Sequence, residues 1–143
     1  MREEVLQALL RVRHLASDEA RRTLSEALAR ETLAQAAADA MEREIARETA
    51  LACSLDADDA VVEAFGAWLP GARARAEASR SAADRATAET ARARAGLKLA
   101  RSGLEAAEAL AAEHLAAKKE ADARREQHSL DDLAQRQRGQ SVL

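Results

Sequence analysis

Residues 54–71 read Ser-Leu-Asp-Ala-Asp-Asp-Ala-Val-Val-Glu-Ala-Phe-Gly-Ala-Trp-Leu-Pro-Gly. The stretch holds the only proline of the chain, its only phenylalanine and its only tryptophan. It also offers two places where a long helix could reverse. Pro70-Gly71 is a strong turn signal, and Leu69 before the proline is biased away from helical backbone. At Ser54 to Asp59, the carboxylates Asp56, Asp58 and Asp59 can instead cap and charge-complement the start of a new helix. In that case Pro70 would kink a helix rather than begin one.

Both flanks of this stretch are helical in pattern. No glycine or proline occurs from Glu3 to Leu55. A ladder of positions in steps of four and three runs Ala20, Leu24, Ala27, Glu31, Ala34, Ala38, Met41, Ile45, Glu48, Ala52, Leu55. Its mean step of 3.5 is the coiled-coil spacing. A second ladder runs Ala72, Ala76, Ser79, Ala83, Ala86, Thr90, Ala93, Leu97, Ala100, Leu104, Ala107, Ala111. Between Gly71 and Gly96 nothing apolar exceeds alanine, so this seam must be thin and close-packed, with a small burial term.

Composition points the same way. Of the 48% of residues counted as hydrophobic, 39 are alanine; 33% are charged and there is no tyrosine, a signature of long helices and coiled coils. The ladders predict an all-α chain of two long helices forming an antiparallel coiled-coil hairpin over residues 1–143. The two turn sites imply different partners along it. A turn near 56–57 places Leu6 to Leu15 beside Leu97 to Leu104 and Ile45 beside Trp68, leaving a lone C-terminal helix of about 27 residues, ~40 Å long. A turn at 70 pairs the chain almost end to end, with Leu6 and Leu10 beside Leu130 and Leu133.

Several function classes find no support. The formal charge is −3, and basic residues are interleaved with acids rather than gathered in a stripe, which argues against nucleic acid. The apolar run Val5 to Leu10 is preceded by acids and followed by Arg11 and Arg13, unlike a signal peptide. The longest uncharged stretch, Ala64 to Ala72, is far short of the ~20 residues that cross a bilayer. His14, His114 and His128 lack helical metal-site spacing, and Asp131-Asp132 point about 100° apart rather than facing each other. There is no glycine-rich phosphate loop, so neither catalysis nor a cofactor is expected. The single Cys53 excludes an internal disulfide and reads as a small buried apolar side chain.

Two stretches suit a partner. Phe65, Leu69 and Ala72 fall at i, i+4 and i+7, one helical stripe fit for docking. The tail Lys118 to Arg138 carries Lys118-Lys119, Arg124-Arg125 and the run Leu130-Asp131-Asp132-Leu133-Ala134-Gln135-Arg136, in which Leu130 and Leu133 could give an apolar foothold.

That last run resembles the C-terminal signature of the flagellar export protein FliJ and its injectisome stalk relatives in type III secretion. There, an apolar residue, two acids, an apolar residue and often Ala-Gln-Arg follow a basic helix. Phe65, Leu69 and Ala72 match a Phe, Leu, Ala spacing early in that family's second helix. The resemblance implies a non-enzymatic antiparallel coiled coil similar to the central shaft of rotary ATPases. Such proteins are cytoplasmic and peripherally associated with the inner-membrane export apparatus. They insert into the export ATPase hexamer, contact the cytoplasmic domain of the export gate and escort export chaperones. On this chain it implies export-gate binding by Phe65, Leu69 and Ala72. It likewise implies ATPase-ring binding by Leu130, Asp131, Asp132, Leu133, Gln135 and Arg136. A shaft that projects one helix past its paired region also selects the earlier turn, giving helix one at about 3–54, the turn at about 54–59, and helix two at about 59–137 with a kink near 66–71. The alternative is a generic coiled-coil scaffold or homodimer.

Overall fold

A computed structural model describes residues 2–141. They form two helices, α1 (Glu3–Ala52) and α2 (Asp59–Ser141), in an antiparallel coiled-coil hairpin with no strand among the described residues. The reversal lies between Ala52 and Asp59, and α2 runs through Pro70 as one element.

Local chemistry accounts for this choice. At the end of α1, the Thr49 carbonyl accepts from Cys53 N at 3.0 Å, while the Leu51 carbonyl accepts from Ser54 N at 3.3 Å and Ser54 Oγ at 2.9 Å. Terminal carbonyls are thus satisfied without a left-handed residue, and no described residue has positive φ. Asp58 then caps α2, its Oδ1 accepting from Val61 N at 2.9 Å, and Asp59 adds negative charge to the first turn. Pro70 cannot donate to the carbonyl of Gly66, but both residues are exposed, so water can serve that group. Cys53 lies in the connection and is exposed, contrary to the buried position expected; the helix ends one residue before it and nothing covers the loop.

Packing divides the chain into two compact units. One spans Asp18–Leu99. Its inward residues are those of the ladders: Ala27 and Ala38 of α1, and Ala72, Ala83, Ala86, Thr90 and Leu97 of α2, are buried. Ala38, Ala72 and Ala83 are 0% exposed. Small side chains make the seam, so polar side chains can reach across beside it. Arg80 donates to Asp39 at 2.9 Å, Glu42 at 2.8 Å and Gln35 at 3.0 Å. Further along, Gln35 donates to Thr87 at 3.2 Å, Thr87 donates to Glu31 at 3.1 Å, and Arg30 pairs with Glu89 at 3.7 Å. The Arg80 guanidinium is held above its ordinary pKa, first by the hydrogen bond to Asp39 and then by that to Glu42.

The second unit joins the N-terminal segment through Ser17 to the segment from Ala100 onward. Leu6, Ser17 and Ala107 are buried there, and Glu3 pairs with Lys118 at 3.3 Å. A Cβ added at Gly103 would meet the Arg13 guanidinium at 3.1 Å, so Arg13 crosses beside that glycine. Inward-facing positions stop at Ala121, and every described residue beyond it is exposed. This leaves about twenty residues of single helix, ~30 Å.

The pairing register differs from the expected one by about one heptad in each unit. Leu6 and Leu10 share a groove with Ala111 and Leu115 rather than with Leu97 to Leu104. Trp68 shares a cleft with Glu44, Glu48, Leu51 and Ala52, close to the level expected beside Ile45, whereas Arg80 meets Asp39 and Glu42, six to nine residues further along α1 than that register implies.

Candidate interaction site

Val61, Phe65 and Trp68 follow each other at i, i+4 and i+7 on α2 and line one side of a cleft of about 400 Å³. Leu51 of α1 forms the opposite wall, and Glu44 and Glu48, one helical turn apart, complete it. The Phe65 and Trp68 rings stand 6.0 Å apart at 39°, a tilted aromatic pair. The cleft is open to solvent and apolar in large part: Leu51 is 60% and Val61 46% exposed, with Val62 and Leu55 exposed nearby.

The stripe expected for partner docking is distributed differently. Phe65 is half-buried in the cleft wall and Leu69 is half-buried beside it, but Ala72 is wholly buried in the seam. Ala72 therefore offers no surface. Two stripes of identical spacing pass through Phe65, and the accessible one goes by way of Val61 and Trp68. Val61 and Leu51 were not singled out as partner contacts in the sequence. Val61 could have been, because it lies four residues before Phe65 in the same helical row. Leu51 lies across from Trp68, where a turn at 54–59 brings the two together.

The tail residues stand apart from any partner helix. Leu130 is 55% and Leu133 53% exposed, three residues apart and so on one face; Asp131, Asp132, Gln135 and Arg136 are exposed around them. Pairs along the helix support it locally. Arg124 meets Glu120 at 2.9 Å, Arg125 meets Asp122 at 3.6 Å, and Gln127 donates to Asp131 at 3.1 Å.

Among the described residues no cluster of His, Cys, Asp or Glu could hold a metal ion, and no helix is long and apolar enough to cross a membrane. No protein-family model, curated protein or solved structure matches the chain.

Proposed function

We propose that this chain is a non-enzymatic stalk and chaperone-escort component of a type III, flagellar-type protein export apparatus, cytoplasmic and peripherally associated with the inner-membrane machinery. The observation that carries the reading is the tail. The run Leu130 to Arg136, which resembles the FliJ signature, sits on a single helix with its two leucines and both carboxylates uncovered. Leu130 and Leu133 supply the apolar contact to the export ATPase ring, and Asp131, Asp132, Gln135 and Arg136 its polar rim. At the other end of α2, Phe65 and Leu69 face the cytoplasmic domain of the export gate, and Ala72 anchors that turn of helix in the seam.

Adding the purified chain to its cognate export ATPase is expected to promote hexamers or raise ATP turnover. Leu133→Asp is expected to impair that effect while leaving helicity almost unchanged, because the residue lies on the single helix beyond the paired region. No binding and no stimulation by the wild-type chain would overturn the assignment.

A second reading, a self-associating coiled-coil scaffold, draws on the exposed leucines Leu15, Leu33 and Leu99, 65%, 72% and 76% accessible. Light scattering separates the two: a monomer fits the stalk and a stable dimer the scaffold.

A further inference from the structure

Charge is mixed almost everywhere along this chain, with one exception. Between Arg47 and Arg73 there is no lysine, arginine or histidine, whereas Glu48, Asp56, Asp58, Asp59 and Glu63 all fall there. This acidic stretch is the end of α1, the connection and the start of α2, and it contains Glu48, Leu51, Val61, Phe65 and Trp68 of the cleft, with Glu44 of the same cleft one turn before it. No salt bridge engages Glu44 or Glu48 among the described residues, although Glu42, close by on α1, is taken up by Arg80. An apolar cleft and uncommitted carboxylates thus coincide at one place.

Their geometry describes the occupant. Glu44 and Glu48 are one turn apart, ~6 Å along the helix axis, which matches the spacing of two cations at i and i+4 on a helix laid beside them. The cleft between α1 and α2 has the size and apolar lining to take an anchoring side chain from that helix. We infer that the cleft at the turn binds an amphipathic, cationic helix of a partner protein, seating an apolar residue against Phe65, Trp68, Val61 and Leu51 and pairing its Lys or Arg residues with Glu44 and Glu48. Surrounding carboxylates of the connection steer the same partner and repel acidic helices. The inference takes from the stalk proposal only that the Phe65 face docks on a protein; it adds the chemistry of what docks.

Trp68 is the only tryptophan and tyrosine is absent, so intrinsic emission reports this cleft alone. The experiment titrates the full chain with a synthetic amphipathic peptide that carries Leu and Phe on one face and Lys on its flanks, free of Trp and Tyr. Its twin has Glu in place of each Lys. The expected result is a saturable blue shift of Trp68 emission with the Lys peptide, weakened by added salt, and binding of the Glu peptide about tenfold weaker or absent. Glu44→Gln with Glu48→Gln is expected to weaken the Lys peptide about fivefold, with helix content unchanged because neither carboxylate holds an intramolecular ion pair. Val61→Ser is expected to weaken the Lys peptide by removing cleft wall.

An unmoved Trp68 signal at saturating Lys peptide overturns the inference. So does equal binding of the two peptides, or a double variant that binds as wild type. Concentration-dependent self-association that excludes the peptide overturns it too, by assigning the cleft to a second copy of the chain. The stalk proposal fails separately: stimulation of the ATPase without peptide binding removes the cleft assignment and keeps the stalk, and the converse removes the stalk and keeps the cleft.

Discussion

Ala83→Leu sets two effects of opposite sign against each other. Leucine adds three carbons, and if they were simply taken from water into apolar surroundings the change would stabilise the fold by about 2 kcal/mol. The surroundings of Ala83 give no such room. It is 0% exposed, and on either side of it α2 is tied to α1, by Arg80 to Asp39 at 2.9 Å and by Gln35 to Thr87 at 3.2 Å. A larger side chain must separate the helices, straining those hydrogen bonds and opening neighbouring alanine contacts, or leave the seam altogether. Overpacking of this kind costs typically 1–3 kcal/mol net. With an unfolding entropy of about 2.1 cal/mol/K per residue, each 1 kcal/mol on 143 residues moves the midpoint by about 3 °C. Thermal unfolding followed by circular dichroism at 222 nm is therefore expected to show Ala83→Leu melting ~3–9 °C below wild type. The exposed control Ala88→Leu is expected to stay within about 0.5 kcal/mol. A variant at position 83 that melts at or above wild type would show that burial outweighs close packing and that the alanine seam is underfilled.

Other outcomes follow from particular side chains. Ser17→Ala is expected to stabilise the chain by about 1 kcal/mol, since the Ser17 Oγ is buried with no hydrogen-bond partner and alanine is the better helix former; urea unfolding measures it. Gly66→Ala and Gly96→Ala should each add up to ~1 kcal/mol, because both glycines are helical and a new Cβ meets nothing within 4 Å, and in the double variant the gains should add. Gly103→Ala should gain less, as its Cβ displaces the Arg13 guanidinium; equal gains at all three sites would contradict that contact. Under the stalk proposal, Phe65→Ala is expected to weaken binding to the export gate more than it lowers the melting midpoint; a large melting loss with normal gate affinity would assign Phe65 a packing role.

The candidate site was legible in the sequence in part. Two aromatic residues three positions apart, in a chain otherwise starved of bulky apolar groups, mark the Phe65 to Trp68 segment without any structure. Which stripe through Phe65 reaches the surface was not legible. Phe65-Leu69-Ala72 and Val61-Phe65-Trp68 have the same spacing, and helical geometry treats them alike. Only the packing of α1 against α2, which buries Ala72 completely and leaves Val61 open, separates them. The uncovered tail depended on the turn: a reversal at 70 would have set Leu130 and Leu133 beside Leu6 and Leu10, and the reversal between Ala52 and Asp59 leaves them without a facing helix.

Sequence by itself determined the two helices, their ladders and the alanine seam, because a sustained 3.5-residue apolar period, free of glycine and proline along α1, allows little else. The aspartates of residues 56–59 and the proline at 70 each offered a reversal, and the choice between them came from how helix ends are satisfied: Ser54 and Asp58 close both ends around the connection, while Pro70 stays within α2 at an exposed turn. Register belonged to the tertiary structure alone. A ladder of heptads superposes on itself after seven residues, and alanine presents nearly the same small face at each step, so the apolar pattern holds no preference between neighbouring alignments. The pairs that are specific lie beside the seam: Arg80 between Asp39 and Glu42, Thr87 with Gln35, Glu3 with Lys118. They meet in one alignment only, and that alignment places Leu51 opposite Phe65 and leaves the tail beyond Ala121 uncovered.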